Sequence, residues 1–238
     1  LAIDRRPGRP PLALDLASHD PGTVVVPDVT DLKLRKVAIL NGAHTALCPL
    51  ALLAGVPTVG AALQIPEARS FLSRLMEDEI LPCLDLPRED TAAFAAEVLR
   101  RFANPFVQHQ WHDISLNAVA KIRARNLDRI LAHEARTGRP PSRLTLSLAA
   151  WIMFYLGRFP SADRLPPRDI REVLEAFSRL RPVTDPESLA AAVLGEPLFW
   201  GLSIDSPALR SALADDLRSL AALVDTHPDL PALLALAG

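Results

Sequence analysis

Lys36, Asn41 and His44 stand at the spacing K-x4-N-x2-H in the stretch KVAILNGAHTAL, residues 36–47. Val37, Ile39, Leu40, Ala43 and Leu47 make the rest of the stretch read as a buried helix. A lysine is rarely buried unless it is paired or working, so an amine, an amide and an imidazole here invite chemistry. At about 100° per α-helical residue, Asn41 falls about 140° round from Lys36 and His44 about 80°, within one arc of about 140°. Gly42 and Ala43 add little bulk beside them. Such a trio suits the reduction of a carbonyl by hydride. Burial disfavours a charged ammonium, which would make Lys36 the proton donor. The Asn41 amide would donate to the developing oxyanion, and His44 would bind a neighbouring hydroxyl and orient the substrate. No metal is needed, because the lysine does the polarising. The plainer alternative is a snorkelling lysine and a histidine satisfied within the core.

The elements that must position these groups read as helices. Residues 1–22 are rich in Pro, Gly and charge and read as irregular, TVVVPDV, 23–29, carries the only convincing strand signal of the chain, and the rest reads as helical. Pro87, with Glu89 and Asp90 behind it, opens a helix over TAAFAAEVLRRF. Ser142 can cap RLTLSLAAWIMFYLG, which Gly157 ends. Asp185–Pro186 and Ser206–Pro207 open two more helices, the first stopped by Gly195. The longest periodic segment is 113–135, with Ile114, Ala118, Ile122, Leu127 and Leu131 on one face. About eight helices are expected from these signals. Prolines fall in the connections, and there is no repeat of fixed period. The expected fold is all-α and multi-helical, with a short N-terminal extended segment.

Composition narrows the function. Nearly half of the 238 residues are hydrophobic and the net charge is −2, with basic residues scattered, so neither nucleic acid nor an anionic membrane is an expected partner. The longest apolar run, Leu144 to Leu156, is too short to span a bilayer. Cys48 and Cys83 sit among apolar residues and read as free thiols in a reducing cytoplasm. No signal peptide begins the chain. It starts at Leu1, which predicts a piece of a longer protein. Gly55 and Gly60 have the wrong spacing for a dinucleotide fingerprint, and there is no Walker A or H-E-x-x-H sequence.

The string RKVAILNGAHTAL resembles the signature of the C-terminal domain of the long-chain polyol dehydrogenases, which include mannitol 2-dehydrogenases, fructuronate reductases and tagaturonate reductases. The resemblance implies that Lys36 is the acid/base, that Asn41 belongs to the oxyanion hole and that His44 binds substrate. The NGAHT form is most similar to the tagaturonate reductases, where other branches often have serine before the histidine. EILPCLDLP (79–87), VLRRFANPFVQHQ (98–110) and ISLNAVAKIRARNL (114–127) extend the likeness, so that 33–158 resembles the family well.

The resemblance makes Lys121 a substrate contact. Asn117, at i−4, would share its helix face. A hexuronate brings a carboxylate that a cation must meet, and Lys121 or Arg123 could do so; solvated surface charge is the alternative for Arg123. His109 and His112 flank Trp111. They could form a polar rim near the substrate, lie on the surface, or, at i, i+3, contribute to a zinc site. The family further implies an upstream Rossmann domain of the same chain that binds NAD, with residues 1–30 its remnant or a linker and 31–238 the helical substrate-binding and catalytic domain. The expected reaction is the NAD-dependent interconversion of tagaturonate and altronate. A fructuronate or mannitol-type substrate is the near alternative. A non-catalytic helical interaction module is the distant one, and it predicts no pocket around Lys36 and an exposed, ion-paired amine.

Overall fold

The computed structural model describes residues 2–4, 23–104, 109–158, 166–224 and 226–238. The described residues are all-α apart from two short strands, as the hydrophobic periodicity predicts. β1 (Ala2–Asp4) pairs in parallel with β2 (Val24–Val26), Ile3 opposite Val25. The run read as irregular therefore contains a strand at 2–4. It is too short to show an alternating pattern, and the valines opposite supply its partner. Parallel strands are joined by crossovers and are normally buried inside larger sheets.

The long helix α1 (Thr30–Leu53) carries Lys36, Asn41 and His44. It is long and apolar enough to cross a membrane by composition, but 67% of its apolar window is buried inside the protein, as befits a core helix. Two features break its regularity. Residues Lys36–Asn41 form a π-turn, with i→i+5 in place of i→i+4 bonding. Pro49 sits inside the helix, although prolines were expected only in connections. A proline lacks the N–H that would reach the carbonyl four residues back. That carbonyl, on Thr45, instead accepts the buried indole N–H of Trp151 at 2.9 Å.

Trp151 belongs to α7 (Ser142–Tyr155), which is apolar all round and packs against the C-terminal half of α1 and against α11 (Pro207–Val224). Its N-terminus is capped by Glu79, 63 residues upstream of Ser142, and not by the Ser142 hydroxyl. The Glu79 carboxylate accepts the backbone N–H groups of Arg143 (2.8 Å) and Leu144 (2.9 Å). Ser142 is the first helical residue and donates to the Ala237 carbonyl. Gly157, at φ 70°, ends the helix as expected. Asp185 caps α9 (Pro186–Leu194) through Ser188 N–H, and the Ser206 hydroxyl accepts from Leu209 N–H at the start of α11.

Between these lie α2 (Val59–Gln64), α3 (Pro66–Arg74), α4 (Arg88–Phe102), α5 (Trp111–Ile114), α6 (118–137), α8 (Arg171–Leu180), α10 (Pro197–Trp200) and α12 (Leu230–Leu234). α3 runs on through a second π-turn, Leu75–Ile80, which presents Glu79 to α7. The described residues thus hold twelve α-helices. The excess over eight comes from elements of four to six residues, too short to show a period. The expected helix over 113–135 is interrupted. Asn117 takes the left-handed conformation (φ 53°, ψ 48°), separating α5 from α6. Asparagine tolerates that conformation better than most residues. A stack of Tyr155, Phe177 and Phe199, with ring centroids 4.4 and 4.5 Å apart, ties α7, α8 and α10 together.

Candidate active site

α1 meets α6 at a close crossing. Gly42 ends the π-turn of α1, and a Cβ there would lie 3.6 Å from the Arg125 carbonyl and 3.8 Å from the Asn126 amide. α6 carries its own π-turn at Arg123–Leu127, so two irregular segments abut. The buried Asn126 amide donates to the Gly42 carbonyl at 3.2 Å, and Arg125 Nη1 donates to the Thr45 hydroxyl at 3.0 Å.

Beside this crossing is a cavity of about 310 Å³, lined by Asn41, His44, His109, Gln110, Asp113, Ile114, Lys121 and Arg125. That volume falls at the lower end of the range for small-molecule sites. Its mouth is fixed from the backbone. Thr58 and Gln110 form an antiparallel bridge, Val59 N–H donates to the His109 carbonyl (3.0 Å), and Trp111 N–H donates to the Pro57 carbonyl (3.1 Å). The Trp111 side chain is fully buried and its carbonyl accepts from the Cys48 thiol. His109 and Gln110 are thus held at the mouth.

His44 stacks on Phe102, with centroids 3.8 Å apart and planes at 10°, and meets His109 and Trp111 edge-on. Burial, His109 and Arg125 together lower its pKa to about 3, so the ring is neutral at physiological pH. Its Nε2 is buried without a hydrogen-bond partner. A buried polar atom of this kind calls for an explanation, and on a cavity-lining ring a bond to a ligand hydroxyl supplies one. The half-buried Lys121 ammonium donates to the Ile114 carbonyl at 2.8 Å; burial first, and then Arg125, lower its pKa.

Of the residues singled out by sequence, Asn41, His44, His109 and Lys121 line the cavity. Lys36 does not. It is exposed, and its side chain has no ion pair or hydrogen bond among the described residues. The burial expected for its amine is absent because it lies towards the N-terminal, unpacked part of α1, where 30–37 has no buried residue. The arc of about 140° drawn between Lys36 and Asn41 assumed α-helical bonding. The π-turn instead closes residue i+5 over residue i, which brings Asn41 back towards the Lys36 side.

Asn117 and Arg123 also lie off the cavity. Asn117 precedes α6 in its left-handed turn and is exposed, so it does not share the face of Lys121. Arg123 is two residues from Lys121, on the far side of the helix, and its guanidinium lies beside Gly201. Arg125, at i+4 from Lys121, is the cation on the cavity face and was missed. The K-x3-R spacing in KIRAR was the signal that could have found it. His112 is half-buried and does not line the cavity, and no three His, Cys, Asp or Glu side chains gather as a metal site among the described residues. An inert interaction module called for no pocket around Lys36 and an exposed, ion-paired amine; Lys36 is exposed and does not line the cavity, as that reading has it, but it carries no ion pair among the described residues.

Comparison with known proteins supplies a context for this geometry. The family described as the mannitol dehydrogenase C-terminal domain matches residues 28–221. Altronate oxidoreductase of Shigella flexneri serotype 5b is 39% identical over 213 residues, covering 87% of this chain and 44% of that protein. Altronate oxidoreductase of Klebsiella pneumoniae is 41% identical over 203 residues, covering 82% and 42%. The chain therefore spans less than half the length of the curated relatives it matches. Among solved structures, Pseudomonas fluorescens mannitol 2-dehydrogenase, in a ternary complex with NAD and D-mannitol, superposes with a TM-score of 0.73 at 24% identity, over 87% of this chain and 42% of that one. A substrate-free D-sorbitol dehydrogenase gives 0.71 at 21% identity, over 96% and 44%. At these identities the structures speak for the fold alone.

Proposed function

The chain belongs to the family of mannitol dehydrogenase C-terminal domains, and from that premise we propose that it is the substrate-binding and catalytic domain of an NAD-dependent reductase that interconverts tagaturonate and altronate. The observation that carries the reading is one cavity whose lining includes the Asn41 amide, the neutral His44 imidazole and the Lys121 and Arg125 cations, beside the π-turn that Lys36 opens. The names of the altronate oxidoreductase relatives support the choice of substrate.

The described residues hold no dinucleotide cradle: they contain no glycine-rich turn between a strand and a helix N-terminus. The parallel pair β1–β2 and the uncovered Lys36 suit a partner domain of the same chain, upstream, as the seat of the cofactor. NAD bound there would supply or accept the hydride at the carbon of the sugar acid.

This chain's residues do the rest. Asn41 donates its side-chain N–H to the substrate oxygen as negative charge gathers on it. His44, neutral and locked by Phe102, holds an adjacent hydroxyl through Nε2. Lys36, off the cavity in this chain alone, is assigned the proton that reaches that oxygen in reduction and leaves it in oxidation, with the upstream domain closing over its amine. Residues 36–44 thus serve one oxygen and its neighbour. Two free thiols, Cys48 buried and Cys83 half-buried, suit a cytoplasmic setting.

The test is NADH oxidation by the full-length protein with tagaturonate, fructuronate and fructose in parallel. Tagaturonate is expected to give the highest kcat/KM. A higher value with fructose would contradict the reading, and one with fructuronate would move it to the sister reaction.

A further inference from the structure

Arg125 and Lys121 share one face of α6, both partly buried, both lining the cavity, and neither in an ion pair among the described residues. Two half-buried cations side by side repel, and taking each from water is costly unless an anion compensates. The one carboxylate that lines the cavity is Asp113. It is exposed and faces Arg168 at 3.4 Å. Lys121 already commits a donor to the Ile114 carbonyl. Arg125 commits Nη1 to the Thr45 hydroxyl. That single anchor holds the guanidinium plane, and Thr45 is itself buried and held through its carbonyl by Trp151. A guanidinium has five N–H donors in a fixed fork, so an arginine tethered at one nitrogen still has donors for a carboxylate. No other basic side chain besides the histidines lines the cavity.

We propose that Arg125, steadied by Thr45 and seconded by Lys121, receives the carboxylate of the substrate and so sets the preference for a sugar acid over a neutral ketose or polyol. The assignment rests on the hexuronate reading given above. Asn41 and His44, on α1, attend the reacting oxygen, and Arg125, on the facing α6, reads the charge of the substrate. A neutral polyol would leave the cation pair uncompensated, which is discrimination through an unpaired buried charge.

The experiment compares kcat/KM for tagaturonate with that for the neutral ketose bearing a hydroxymethyl in place of the carboxylate, using the full-length protein and NADH. In Arg125→Met the ratio of the two is expected to fall by about 100-fold, the scale of a desolvated charge pair, and the loss to sit in KM. Arg125→Lys, which keeps the charge and loses the fork, is expected to lower the ratio by about tenfold, and it carries the test should the methionine variant not fold. A ratio in both variants within about threefold of the parent, even with both activities reduced, would make Arg125 a packing residue and overturn the assignment. A parent enzyme that prefers the neutral ketose would overturn the hexuronate reading itself and the carboxylate role with it. A parent that prefers fructuronate would alter the reaction and leave the role of Arg125 to be decided by the same ratio.

Discussion

The side-chain amide of Asn126 donates a 3.2 Å hydrogen bond to the main-chain carbonyl of Gly42, across the crossing of α1 and α6. Both residues are buried, and each sits in or directly beside a π-turn. This bond fixes the register in which Asn41 and His44, on one helix, face Lys121 and Arg125, on the other.

Asn126→Leu, similar in volume, removes that donor. The variant is expected to lose about 1–3 kcal/mol of stability in urea unfolding, the usual cost of stranding a buried polar group. Full-length enzyme carrying it should lose kcat more than a stability change alone explains. Unfolding at the parent midpoint would remove the bond from the account.

Asp216, on α11 beside Asp215, leads to a pH dependence. Burial, then Asp215 and Glu79, push the Asp216 carboxyl from 3.8 up to about 7. A folded pKa above the unfolded one means that the folded state binds more protons between them. The stability present below about pH 4 is therefore lost as pH rises through about 7. Asp216→Asn, which cannot ionise, should be more stable than the parent at pH 8 and gain little at pH 4. An equal gain at both would contradict the assignment.

Glu79 itself should be indispensable. Its carboxylate takes two backbone N–H groups of α7 and the Arg143 guanidinium at 3.3 Å, with nearly all of its surface buried. Glu79→Ala leaves the two backbone N–H groups without a partner and Arg143 with only the exposed Asp78, at 3.8 Å, and the Gly238 carbonyl, and is expected to cost about 3–5 kcal/mol in chemical unfolding. A cost below about 1 kcal/mol would show that water or another side chain replaces the cap.

His44 gives the opposite slope. Its folded pKa of about 3 lies below the ordinary 6.5, so the unfolded chain takes up the proton first. Stability is whole above pH 6.5 and is lost as pH falls towards 3. His44→Gln should move the midpoint of acid unfolding to lower pH. An NMR titration should find the His44 ring neutral down to about pH 4; a midpoint near 6 would contradict the packing against Phe102.

The sequence made some of this site legible and left the rest hidden for physical reasons. The K-x4-N-x2-H spacing marked Asn41 and His44, since a polar residue on an apolar helix is a local signal. The π-turn beneath them was not visible, because it depends on α6 packing against Gly42. Arg125, at i+4, returns to the face of Lys121, whereas Arg123, at i+2, does not. The apolar period runs on through Asn117 and so hides the left-handed backbone that breaks the helix there. Glu79 as the cap of α7 was out of reach, as its partners are 64 and 65 residues away.

Lys36 is the residue on which the functional account turns. The most direct measurement is single-turnover reduction of tagaturonate by the full-length enzyme, parent against Lys36→Met, with altronate binding followed in parallel. The account predicts a chemical step slower by about 10²–10⁴-fold, the usual contribution of general acid catalysis, with altronate binding retained. A chemical step within about tenfold of the parent, in a folded variant, would show that the proton comes from elsewhere and contradict the role given to Lys36.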